Sequence, residues 1–173
     1  PIFSIAAAAA TEGGDIVFTV TRTGDAQATE EVTVTTSIGS SDTASVSDFT
    51  AKTSTLSFTQ GQTSQTFTVA TTPDNLYEGT ETFTVSLSNP TNGAVVSSTI
   101  GTATGTINND ETSPVFSIAA AAALEGGDSV FTVTRTGDAQ ATEQVTVTTS
   151  IGSSDTASAN DFTAQESILS FAQ

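Results

Sequence analysis

Residues 3–60 of this chain return as residues 116–173. Phe3-Ser-Ile-Ala-Ala-Ala-Ala-Ala-Thr-Glu-Gly-Gly-Asp15 reappears as Phe116-Ser-Ile-Ala-Ala-Ala-Ala-Ala-Leu-Glu-Gly-Gly-Asp128. Across 58 aligned positions, offset by 113, nine differ, from Thr11/Leu124 to Thr59/Ala172. A shared fold alone does not keep side chains that constant, so the two segments read as recent tandem copies of one module. A period of 113 residues is too long for a solenoid repeat and close to the size of a self-contained domain. The expected organisation is a complete unit over 1–113 and the first half of a second, strands A–D, over 114–173. A sequence stopping mid-unit predicts a longer array. The second half-unit is then expected to be covered by further chain or by neighbouring copies, through strand exchange or a filament.

Within a unit, Thr, Ser and Val dominate and Phe is the main aromatic, with Gly, Asn and Asp punctuating them; this is a strand composition. Apolar and polar residues alternate in Ile16–Arg22, Val32–Thr36, Leu56–Phe58, Thr66–Ala70, Thr82–Leu87 and Gly101–Ile107. The opening Phe3-Ser-Ile5 adds a seventh strand. Period-two alternation sends Phe18, Val20, Val32, Val34, Leu56, Phe58, Phe67, Val69, Phe83, Val85, Leu87, Ala103 and Ile107 to one side, the expected core. Ala6 to Ala10 is a run of strong helix formers, but too short to nucleate a helix. Because it continues a strand it reads as a small-residue edge strand with a bend or bulge. About seven short strands separated by turns predict an all-β fold, an immunoglobulin-like antiparallel sandwich.

Connectivity then places the charges. If the strands run up and down between two tips, the A–B, C–D and E–F connections and the exit from the last strand share one tip. Those segments carry Glu12, Asp15, Asp42, Asp48, Asp74, Glu78, Glu81, Asp110 and Glu111, nine of the unit's twelve acidic residues. Asp25, Glu30 and Glu31 go to the other. Like charges gathered at one tip repel, and a hard divalent cation relieves that: Ca²⁺ takes about six to eight oxygens in irregular geometry. Asp15 and Asp42 read better as turn formers, whereas Glu12, Asp48, Asp74, Glu78 and Asp110 read as ligands.

Several chemistries are excluded. The chain has 19 Asp and Glu against 3 Lys and Arg, a net charge of −16, which leaves nothing with which to grip nucleic acid or an anionic membrane. Cys and His are absent, and with them thiolate zinc sites, imidazole bases and disulfides. Trp is also absent and Tyr77 is the sole Tyr, so no aromatic sugar cleft accompanies the carboxylates. The Glu-Gly-Gly turns precede strands rather than helices and are not phosphate loops. Arg22 and Arg135 end strands before Thr-Gly and are expected to form strand-end ion pairs. The unit is therefore expected to bind rather than catalyse. No apolar run approaches membrane-spanning length, and any export signal is expected outside these residues.

The succession Glu12-Gly-Gly, Phe18-Thr-Val-Thr-Arg-Thr-Gly24, Asp42-Thr-Ala, Ser47-Asp-Phe49, Leu56-Ser-Phe-Thr-Gln-Gly-Gln-Thr63, Asp74-Asn-Leu-Tyr-Glu-Gly-Thr-Glu81 and Thr106-Ile-Asn-Asn-Asp110 resembles the Calx-β domain. That resemblance implies a calcium site formed by Glu12, Asp48, Asp74, Glu78, Glu81, Asp110 and Glu111, with the Leu76 carbonyl as a backbone ligand. Glu125 and Asp161 match in the second unit. Pro73 stands where the family has the first acid of its E–F pair, and Asn75, Asn108 and Asn109 dilute the other acidic runs. One or two ions of modest affinity are therefore expected. The expected role is a calcium-binding spacer in an extracellular or cell-surface repeat protein, an adhesin stalk, matrix fibre or filament stiffened by calcium at the inter-unit tip. The alternative is a regulatory calcium sensor within a transporter or signalling protein.

Overall fold

Alternating β-branched and hydroxyl side chains leave each segment of the first unit with one apolar face, and two sheets close those faces on each other. The computed structural model describes residues 1–173. The chain forms two compact units, Pro1–Asp74 with Glu78–Asp110, and Asn75–Tyr77 with Glu111–Gln173.

The first unit contains β1 (Ile2–Ile5), β2 (Ala8–Thr11), β3 (Asp15–Thr23), β4 (Glu30–Ser37), β5 (Thr53–Phe58), β6 (Ser64–Ala70), β7 (Glu81–Ser88), β8 (Val95–Val96) and β9 (Thr102–Asn108). One sheet has the order β6-β3-β1-β8 and the other β2-β9-β7-β4-β5, an immunoglobulin-like sandwich. The expected seven strands become nine for two reasons. The first strand breaks at Ala6–Ala7: β1 pairs antiparallel with β3, whereas β2 crosses to the other sheet and runs parallel to β9. The alanine segment is thus a bent edge strand. The added β8 is two residues long and exists through its parallel pairing with β1.

The core runs through Phe3, Phe18, Val20, Val32, Val34, Phe58, Phe67, Val69, Phe83 and Val85, all essentially fully buried. Of the expected core residues only Ala103 is half-buried, packed against the rest. Phe49, from the loop after β4, enters as well, its ring stacked on Phe83 at 4.2 Å. Gly105 makes room for Phe83, because a Cβ there would lie 2.4 Å from its ring. At the end of the sandwich away from the acids, Arg22 is buried and paired with Glu30. Its guanidinium also donates to the carbonyls of Ala28 at 2.9 Å and Thr59 at 2.7 Å. The strand-end ion pair expected for Arg22 is therefore a buried clamp tying β3 to β4 and to the turn after β5.

The second unit contains β10 (Val115–Ile118), β11 (Val133–Thr136), β12 (Glu143–Thr148) and β13 (Glu166–Phe171). They form two antiparallel pairs, β10-β11 and β12-β13. Arg135 repeats the clamp, pairing with Glu143 and donating to Ala141 and Ala172 carbonyls at 3.0 and 2.8 Å.

Candidate metal centre

Four chain segments meet at one tip of the first sandwich, and local forces hold each there. After β2 the chain reverses through Glu12-Gly13-Gly14, closed by Gly14 N–H to the Thr11 carbonyl at 3.0 Å. Gly13 takes φ +72°, which favours glycine. A Cβ on Gly13 would lie 3.0 Å from the Pro73 ring. Pro73 thus packs the loop before β7 onto the turn that carries Glu12. Thr71 reinforces the junction, its N–H and hydroxyl donating to the Gly14 carbonyl at 3.0 and 2.7 Å.

Asp48 is positioned by its neighbour. Phe49 is buried in the core and bridges to Thr71, so the preceding carboxylate is fixed at the rim. The Asp48 carbonyl accepts from Thr72 N–H at 2.9 Å. Its carboxylate accepts from Ser45 N–H and from the hydroxyls of Ser45 and Ser47 at 3.1 and 3.0 Å. Glu81 opens β7, opposite Ile107 of β9. Glu78 N–H donates to the Asn109 side-chain oxygen at 3.1 Å.

The result is a small cavity lined by Glu12, Asp48, Asp74, Glu78, Glu81 and Asn109, together with Thr72, Gly79 and Ile107. Its free volume is about 10 Å³, room for about one water-sized sphere. Carboxylate oxygens of Asp48, Glu78 and Glu81 all lie within 4.8 Å of one another, and those of Glu12 and Asp110 are equally close. Asp110 N–H donates to Glu12 at 3.3 Å, joining the β2 turn to the end of β9.

The electrostatics record the crowding. Burial pushes the Glu81 carboxyl up, a hydrogen bond to Asp48 and the charges of Asp48, Glu78 and Glu12 add to it, and the group reaches about 7. Burial raises Glu78 too, helped by Asp48, Asp74 and Glu12. Burial would also raise Asp48, but the hydrogen bonds from Ser45, Glu81 and Ser47 outweigh it and hold the group below its ordinary value. Without a cation, one proton shared between Glu81 and Asp48 lowers the repulsion. Hard carboxylate and amide oxygens, irregularly placed and free of nitrogen or sulfur donors, fit Ca²⁺ as the group that would replace that proton.

Of the residues expected from the sequence, the structure brings Glu12, Asp48, Asp74, Glu78 and Glu81 to the cavity and sets Asp110 beside Glu12. Leu76 is outside the lining, in the Asn75–Tyr77 segment, and Glu111 begins the second unit's main stretch. In the second unit Asp161 accepts from Ser158 N–H and hydroxyl at 2.7 and 2.9 Å, which holds its carboxyl below the ordinary value. Glu125 is exposed, and neither it nor Asp161 joins a carboxylate group like those above. Asp42 is a turn former, accepting from Gly39 N–H at 2.7 Å and from the Thr84 hydroxyl at 2.8 Å. Asn109, which the sequence shows only as a diluted acid, is a positioning residue for Glu78.

Fold and tip together define a class: a sandwich module that gathers oxygen ligands for a hard divalent cation on the loops of one end. The chain belongs to the Calx-beta domain family, which it matches over residues 7–111 and 116–173. Among solved structures it is similar to the apo-form CBD1 domain of Calx, at 25% identity and TM-score 0.57, covering 63% of this chain and 96% of that one. It is also similar to CBD12 from CALX1.2, at 23% identity and TM-score 0.59, covering 99% and 70%. The calcium binding domain CBD12 of CALX1.1 matches at 22% identity and TM-score 0.59, covering 98% and 70%. No curated protein sequence matches the chain.

Proposed function

We propose that this chain is a calcium-responsive Calx-beta module in which the ion sits among Asp48, Glu78 and Glu81, with Glu12 and Asp74 beside them. The observation that carries the reading is the convergence of three carboxylates, from the β4–β5 loop, the loop before β7 and β7 itself, within 4.8 Å. Calcium supplies positive charge to a cluster that otherwise repels itself. The protein's own residues do the rest. Phe49 and the two serines hold Asp48 outward, Pro73 and Thr71 draw the loops together, and Asn109 fixes the Glu78 backbone. Of the two roles set out from the sequence, the sensor is the better supported, because the structural likeness runs to domains of CALX proteins, one of them described as calcium binding. The spacer role, with its extracellular or surface setting, is favoured by one other observation, the near-identity of the two copies.

Calorimetric titration tests the proposal. Binding in the micromolar to millimolar range is expected, and saturation at about a hundredfold over Kd adds about 2.7 kcal/mol of stability. Asp48→Asn removes most of that gain, whereas Asp25→Asn changes little. No heat and no change in melting at millimolar Ca²⁺ overturns it.

A further inference from the structure

Six asparagines occur in the chain, and one of them, Asn92, precedes a glycine. Asn89 precedes Pro90, whose nitrogen carries no hydrogen, and Asn75, Asn108, Asn109 and Asn160 precede residues with larger side chains. Asn92 and Gly93 are exposed, in the connection between β7 and β8 of the first unit. Both take positive φ, 53° and 76°, and Ala94 N–H donates to the Thr91 carbonyl at 3.0 Å, the pattern of a type I′ turn. Open space lies where a Cβ on Gly93 would stand. The turn is fastened to the start of β4. Asn92 Nδ2 donates to the Thr29 carbonyl at 2.7 Å, Glu31 N–H donates to the Thr91 hydroxyl at 2.8 Å, and Thr91 N–H donates to the Glu31 carbonyl at 3.0 Å. Just beyond it Ala94 is buried and Val95 N–H donates to the Pro1 carbonyl at 3.1 Å, so the turn also places β8 against β1.

We propose that Asn92 is a site of spontaneous covalent modification, deamidation by its own backbone, and that the hydrogen bond to Thr29 is its gate. Hydroxide takes the Gly93 amide proton, and the Gly93 nitrogen attacks Asn92 Cγ. The bond from Cγ to Nδ2 breaks, ammonia leaves with a proton from water, and a five-membered imide remains. Water then opens that ring. Breaking the new bond at Cγ gives aspartate; breaking the original peptide bond leaves the chain running through Cβ and Cγ as isoaspartate. Water and hydroxide are the only reagents and nothing is oxidised or reduced. While Nδ2 is held by Thr29 the carboxamide is kept from its attacker, so the reaction proceeds through local opening of the turn. Either product prevents full reclosure. A carboxylate in place of the amide sets oxygen against the Thr29 carbonyl with no hydrogen between them. Isoaspartate also lengthens the turn by one main-chain atom, which breaks the bond from Ala94 to Thr91. The site thus records, irreversibly, how often the β7–β8 connection comes away from β4, and modification frees the two-residue β8 from β1.

The test ages the full chain in warm, mildly alkaline buffer and follows each asparagine by peptide mass spectrometry, with isoaspartate assayed in the same peptides. Asn92 should convert first, faster in denaturant than in the folded protein. Thr91→Val, which removes the hydroxyl that accepts from Glu31, should speed its conversion severalfold in the folded protein and leave the rate in denaturant unchanged. Asn92→Gly keeps a residue suited to positive φ and should abolish the early release of ammonia. In the aged parent, amide exchange at Ala94 and Val95 should quicken at least about tenfold, with Val32 and Val34 unchanged. Conversion at Asn92 no faster than at Asn108 or Asn160, a rate that denaturant leaves unchanged, or modified protein whose Ala94 and Val95 exchange as slowly as before overturns the proposal.

Discussion

Replacing Glu81 with Gln separates the stability of the acidic tip from its capacity for calcium. In the calcium-free protein the Glu81 carboxyl is raised from 4.5 to about 7, so the folded first unit holds a proton that the unfolded chain has released. A raised carboxyl contributes stability that is complete below about 4.5 and lost as pH climbs through about 7. At about 1.4 kcal/mol per pH unit the gap sets a ceiling of about 3.4 kcal/mol. Glu81 is half-buried, and solvent screening brings this to about 1.5 kcal/mol. Glutamine stays neutral and can donate to Asp48 as the protonated acid does. In chelator at pH 8, Glu81→Gln should therefore melt roughly 5–10 °C above the parent, while at pH 5 the two should coincide. In saturating calcium the order reverses, because the variant has lost a ligand. Calcium affinity of the parent should rise with pH through about 7, as the ion displaces the proton. Circular-dichroism melts at both pH values, with and without calcium, decide it. A variant no more stable than the parent at pH 8 in chelator, or equally favoured at pH 5, refutes the electrostatic account.

Two further substitutions probe the scaffold away from the metal ligands. Arg22→Met leaves Glu30 and several carbonyls buried without their cation and should cost about 3–5 kcal/mol in denaturant unfolding. Adding Glu30→Leu should recover much of that; a single variant within about 1 kcal/mol of the parent would show the clamp to be unimportant. Gly105→Ala drives a methyl into the Phe83 ring and should cost about 1–3 kcal/mol, with calcium binding retained once the protein is folded. An unchanged unfolding midpoint would contradict the close approach.

The strands of the first unit were legible because Phe and Val alternate with Thr and Ser, giving a clear period in Ile16–Arg22 and Thr82–Leu87. Where both faces carry small hydroxyl residues the contrast fades, and β5 begins three residues before the alternation does. The two-residue β8 and the crossing of β2 between sheets depend on distant partners that no local pattern reports. The acidic tip could be read because strand parity alone sends alternate loops to one end. The depth of Arg22 could not, since its burial rests on carbonyls from a turn far along the chain. Nor could the service of Asn109 and Pro73, which act through backbone and ring contacts rather than through charge.

The crossing strand also sets how the first unit answers tension. β2 and β9 lie side by side and parallel, in register from Ala8 beside Gly105 to Thr11 beside Asn108. A pull on the two chain ends drags β2 toward its start and β9 toward its end. Their hydrogen bonds are then strained in shear, all at once, instead of being unzipped one after another. A break between Ala6 and Ala7, which in a resting molecule merely changes sheets, becomes under force the reason the sandwich resists opening from its first strand.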